Sequence, residues 1–272
     1  MMMNRSAAFI LLALLTMSFR SDKPAYEIYN SEGKAVKYES MIKKISSADV
    51  VFFGELHDNP IAHWLEYEIT RDLHNIAGNR LVMGAEMFET DNQLLLDEYM
   101  ASEYEADKFE AEVKLWKNYK TDYKPLVEFA KENSLPFIAT NVPRRYASIV
   151  SRGGFEELDS LSPEAKRFIA PLPVTYDPEL KCYKDMLSMH GMPGMGGKPN
   201  MNLPKAQALK DATMAHFIAR NLSEGKIFIH YNGSYHSDNY QGIIHYLKLY
   251  RPEIRVSTIS TVLQEDISKM DE

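Results

Sequence analysis

A carboxylate and an imidazole two positions apart, Glu55 and His57, stand in the stretch VVFFGELHDNP (residues 50–60), directly after four apolar residues. Such a pair can share a proton or a metal ion, and Asp58 adds a second acid beside it. The preceding Gly54 lets the backbone turn without a Cβ clash. The pattern returns near the other end of the chain, where KIFIHY (226–231) runs into NGSYH, so that Gly-x-x-His closes once at His57 and once at His236. A third apolar run, 80–87, delivers Glu86 within GAEMFE. A fourth, 135–141, ends at Asn141 and leads through Pro143 to Arg144 and Arg145. If these runs are strands, one polar rim collects Glu55, His57, Glu86, Asn141, Arg144 or Arg145, and His236. His57 and His236 are then its candidate metal ligands.

The runs have the length of buried strands, and helical patterns separate them. Pro60 suits the first turn of a helix reaching about residue 75, ended by the Gly78–Asn79 turn. Further amphipathic stretches lie in 88–134, a helix starts at Pro143, and a long one spans 204–222 with alanines toward its neighbours and Asp211 on another face. Alternation of strand and helix predicts an α/β fold, a mainly parallel sheet with helices on both faces. Ligands of such sheets sit at the carboxyl ends of the strands, where the rim residues fall. Two helical insertions, about 88–134 and 155–200, form an added lid subdomain. Within them Trp116, Tyr119 and Tyr123 either line a pocket or pack in the core. Arg144 and Arg145 occupy a first helical turn, where the dipole disfavours cations unless an anion or carboxylate answers them.

The net charge of −7 is made of interspersed acids and bases, which argues against nucleic acid as a partner. Cys182 is the single cysteine, so no intrachain disulfide forms. Arg5 precedes an apolar run over 7–17, shorter than the ~20 residues of a membrane span and fitting a signal peptide. Residues 1–20 are therefore set apart as a signal peptide and 21–272 as a single domain, exported to the periplasm or cell envelope without a lipobox cysteine. Between 176 and 204 a helical pattern ending at His190 gives way to a Gly- and Pro-rich stretch with Met192, Met195 and Met201. Thioether and imidazole ligands suit soft metals or haem iron, while methionines also fill gaps in apolar surfaces.

The motifs GELHDNP, GAEMFETDNQ, NVPRRYA, AQALKDATMA and NGSYH follow in an order that resembles the ChaN-type haem-binding, iron-regulated lipoproteins. That family is similar in turn to the erythromycin esterase, TraB and TIKI group. The resemblance implies haem as cofactor, a role in iron or haem acquisition, and partners in membrane-associated uptake machinery, with a homodimer open. Haem would need an apolar slot, an axial ligand from Tyr176, Tyr183 or His190, and cations for its propionates. The wider group implies an alternative, a hydrolase of esters or amides, with or without a divalent metal ion. There Glu55, His57, Glu86, Arg144 and His236 form the catalytic set. Two departures stand out: the missing lipid-anchor cysteine, and SDNYQG in place of a Gly-rich continuation after His236.

Overall fold

The computed structural model describes residues 24–189 and 200–271. The expected signal peptide, His190, Met192 and Met195 lie outside them. Contacts divide the described residues into two compact units, one of residues 24–37 with 264–271 and one of residues 38–189 with 200–263. In the described part of the smaller unit, the hairpin expected from the alternation around Gly33 reduces to one antiparallel bridge, Tyr29 to Ala35.

The larger unit is built on five parallel strands: β1 (Val50–Glu55), β2 (Leu81–Glu89), β3 (Phe137–Asn141), β4 (Ile227–Gly233) and β5 (Val256–Ser260). Their order is β3-β2-β4-β1-β5. The helices are α1 (Tyr38–Ile45), α2 (Pro60–Ala77), α3 (Gln93–Met100), α4 (Ala106–Glu112), α5 (Lys124–Glu132), α6 (Arg144–Gly153), α7 (Pro163–Lys166), α8 (Lys181–Met189), α9 (Leu203–Asn221) and α10 (Ile243–Tyr250). The expected α/β fold is thus the observed one. No helix among the described residues is long and apolar enough to cross a membrane.

Strand side chains alternate between faces, and so does the core. Val51, Phe53, Ile229 and Tyr231 pack with Ile69 and Leu73 of α2 and with Leu126 and Val127 of α5. Val50, Phe52 and Phe228 pack with Ala208, Ala212 and Ala215 of α9 and with Ile243 and Leu247 of α10. A sheet covered on both faces needs apolar residues at consecutive positions, which is why β1 and β4 read as unbroken apolar runs. Helix α2 starts where Asn59 Oδ1 accepts from the amides of Ile61 and Ala62, both at 3.0 Å, with Pro60 in the first turn.

The 155–200 insertion is less helical than its pattern suggests. The helix expected from Tyr176 begins only at Lys181, and residues 176–178 have no regular structure. In the other insertion α3 to α5 are joined through a π-helical turn, Tyr119–Tyr123, that buries both tyrosines.

Candidate functional site

The two Gly-x-x-His motifs meet because β1 and β4 are neighbours, in parallel register with Gly54 opposite Asn232 and Glu55 opposite Gly233. Both loops leave the same sheet edge, and each glycine makes room for the other loop. A Cβ on Gly54 would stand 2.9 Å from the Ser234 Cα, and one on Gly233 would stand 2.8 Å from Cε1 and Nε2 of His57. Gly233 also brings Glu86 in: its amide donates to Glu86 Oε2 at 2.9 Å.

A cavity of about 810 Å³ opens over this edge. Glu55, His57, Glu86, Arg144 and His236 all line it, together with Trp116, Asn141, Gln207 and Lys210. Four strand ends and the start of α6 therefore reach one space.

On the β2–β4 side, His236 is buried between two carboxylates. Its Nε2 lies 3.2 Å from Glu86 Oε1, and its Nδ1 is paired with Asp211 of α9. The Tyr183 hydroxyl donates to the other oxygen of Asp211 at 2.7 Å, and the Gln207 amide lies 3.1 Å from Nε2. Burial works against protonating His236, but Glu86 and Asp211 outweigh it and push its pKa up to about 10. Burial likewise works against ionising Glu86, yet His236 and the Gly233 amide bring it down to about 2. Glu86 and Asp211 thus favour the protonated ring of His236 between them.

On the β1 side, Glu55 is buried and its Oε1 takes two bonds, from the Tyr123 hydroxyl at 2.7 Å and from His57 Nδ1 at 2.6 Å. The hydrogen bond to Glu55 raises the His57 pKa; burial opposes it and Glu86 adds to it. Its ring edge faces Trp116, with centroids 4.8 Å apart. Behind Glu55, α2 presents His63 and Glu66 one turn apart. His63 Nδ1 lies 2.9 Å from Glu66 Oε2 and 3.2 Å from Glu55 Oε2. Burial, then the charge of Glu55, raises the Glu66 pKa well above the usual carboxylate range.

The structure assigns other partners to some residues singled out by sequence. Both nitrogens of His236 are held by carboxylates, so a metal there would displace one of them. Among the described residues, the donor set close enough to share an ion is Glu55, His63 and Glu66 rather than one joining His57 to His236. Arg145 pairs with Asp91 at 2.5 Å, the carboxylate its place in a first helical turn called for, while Arg144 faces the cavity. Tyr183 is fully buried behind His236 with its phenol on Asp211, so it offers no surface to an iron. Tyr176 packs on Phe155 and Tyr183, away from the cavity lining.

Asp211, Gln207, Lys210 and Glu66 escaped the sequence reading as site residues. Asp211 carried a signal: an acid among Ala208, Ala212 and Ala215 is buried with them and needs a charged partner. Glu66 carried a weaker one, its spacing of three from His63 on a helix.

A family model described as "Haem-binding uptake, Tiki superfamily, ChaN" matches residues 41–247. A solved structure described as "Cofacial heme binding to ChaN of Campylobacter jejuni" superposes with a TM-score of 0.67 at 19% identity, covering 88% of this chain and 91% of that one. At that identity the likeness is one of fold. The chain also aligns with RRSP, a MARTX toxin effector domain from Vibrio vulnificus CMCP6, at 17% identity and a TM-score of 0.47, over 86% of this chain and 39% of that one. No curated protein matches.

Proposed function

The chain belongs to the haem-binding uptake family of the Tiki superfamily, ChaN, and from that premise we propose that it is an exported haem-binding protein serving iron or haem acquisition. The observation that carries this reading is the family match across residues 41–247, which includes every strand of the sheet except β5.

The cavity has features that suit the group. Arg144 and Lys210 line it, and neither forms an ion pair among the described residues, which leaves two cations for two propionates. Trp116, Leu56 and Val142 supply apolar wall. When bound, haem would supply the iron and the chain the cations and the wall; of the ligands expected from the sequence His190 is the one carried forward, since Tyr176 packs away from this cavity. Titration of the purified protein with haemin should give a shifted Soret band. Arg144→Ala combined with Lys210→Ala should weaken binding ~10-fold or more, the scale of losing charge-assisted hydrogen bonds. An unshifted band would reject the function, and full affinity in the double variant would move haem to another surface.

A second reading, hydrolysis of an ester or amide, is favoured by the pairing of Glu55 with a half-exposed His57 at the cavity floor. There Glu55 orients the ring, and His57, half-exposed in the cavity lining, would take the proton of a water. Ester turnover that is equal in wild type and Glu55→Gln would remove this reading.

A further inference from the structure

Glu55, His63 and Glu66 are all buried and bring their side-chain nitrogen and oxygen atoms close enough together to share an ion. His63 Nε2 lies 3.2 Å from the carbonyl oxygen of His57, which can only accept, so a ring proton carried on Nε2 has a partner there and leaves Nδ1 able to ligate. The Nδ1 lone pair then points at Glu66 Oε2 and Glu55 Oε2, 2.9 and 3.2 Å away. Glu55 Oε1 already takes both hydrogen bonds made to that side chain, from Tyr123 and His57. Its Oε2 has no hydrogen-bond donor, nor does Glu66 Oε1, and both side chains are fully buried.

From this geometry we infer that Glu55 Oε2, His63 Nδ1 and Glu66 form a binding site for a divalent first-row transition-metal ion. Metal bonds of ~2.0–2.2 Å at right angles set neighbouring ligands ~3 Å apart, the separation found between His63 Nδ1 and each carboxylate. One imidazole and two carboxylates suit zinc, iron(II) or manganese(II). The surroundings match those of a ligating histidine and carboxylate: the other imidazole N–H donates to a backbone carbonyl, and the other Glu55 oxygen is hydrogen-bonded by a phenol and an imidazole. Asp122, with its side chain 20% exposed, stands at the other ring nitrogen, its Oδ2 3.7 Å from His63 Nε2. The site lies behind the Glu55–His57 pair and does not use His236, so it is independent of the haem reading.

The test titrates the haem-free full chain with Zn2+ against a chromophoric chelator. One equivalent should bind, and Glu66→Gln and His63→Gln should each weaken binding at least ~100-fold, beyond the 10–100-fold of a supporting contact. Arg144→Ala should leave Zn2+ affinity unchanged, whatever it does to haemin affinity, which separates failure of this inference from failure of the haem reading. If either site variant fails to fold, Co2+ added to the wild type should shift one exchangeable histidine N–H resonance far outside the diamagnetic range, as Nδ1 ligation of His63 demands. Absence of Zn2+ binding, Zn2+ affinity unaltered in both folded site variants, or no shifted N–H with Co2+ would overturn the assignment and leave the two carboxylates sharing a proton.

Discussion

The two sides of the cavity floor use the same residue types and end in opposite electrostatic states. On the β2–β4 side one imidazolium stands between Glu86 and Asp211, and the remaining acceptors are answered by Gly233 and Tyr183. On the β1 side His63 stands between Glu55 and Glu66, but its Nε2 is turned to a backbone carbonyl and two carboxylate oxygens lack donors. A buried charge is tolerated when it is paired and fully hydrogen-bonded, and is costly otherwise. The first side is therefore a closed structural unit. The second is open, with capacity for a proton or a cation.

Breaking the closed side should have the largest effect. Asp211→Ala strands His236 and the Tyr183 hydroxyl together and should lower unfolding free energy by ~3–5 kcal/mol, the cost of removing one partner of a buried pair, as denaturant titration would measure. The same trio predicts a pH profile. The raised pKa of His236 contributes stability that is complete below the ordinary histidine value and is lost as pH rises through about 10. The lowered pKa of Glu86 contributes stability present above the ordinary carboxylate value and lost as pH falls toward about 2. Thermal melts across pH should show both losses in the wild type and neither in full in Asp211→Ala.

A smaller loss is expected where the two sides join. In Gly54→Ala the new Cβ meets backbone on both flanks, Ser234 Cα at 2.9 Å and Ile259 O at 3.1 Å. Neither can swing away, so stability should fall by ~1–3 kcal/mol. Gly233→Ala meets the ring of His57 instead. That side chain is 44% exposed and can yield, so the melt should move less while His57 leaves Glu55, visible as a lower His57 pKa by NMR.

On the open side the effects should be smaller still. Tyr123→Phe removes one neutral donor from Glu55 and should cost ~1–2 kcal/mol. Glu66→Gln replaces a buried acid whose Oε1 lacks a donor by an amide of the same shape and should leave metal-free stability within ~1 kcal/mol of wild type. A loss as large as that of Asp211→Ala would mean that the open side is as fully paired as the closed one, and the contrast would fall.

Much of this architecture was written locally. Four apolar runs followed by polar loops identified β1 to β4, and Asn59–Pro60 marked the start of α2, because strand length, capping and glycine chemistry act over a few residues. Boundaries slipped where side-chain pattern and backbone pairing differ: β3 begins at Phe137, two residues after the start of its apolar run, and β2 continues to Glu89 past the end of its own. The helix expected from Tyr176 begins only at Lys181, since Pro178 has no N–H to extend a helix through it and disfavours helical backbone at Asp177 before it.

The sequence by itself determined which side chains stand at strand ends, and the doubled Gly-x-x-His marked Glu55, His57 and His236 as a related set. Only the tertiary structure decided who holds whom. Placing β4 beside β1 joined loops about 180 residues apart, and seating α9 against the sheet put Asp211 on His236. Pairing across such separations is set by which strands and helices bury each other's apolar faces, a global choice that no local pattern encodes. The same packing turned His63 and Glu66 inward toward Glu55, and so made an open cluster from two residues that a helical pattern alone would place on any face.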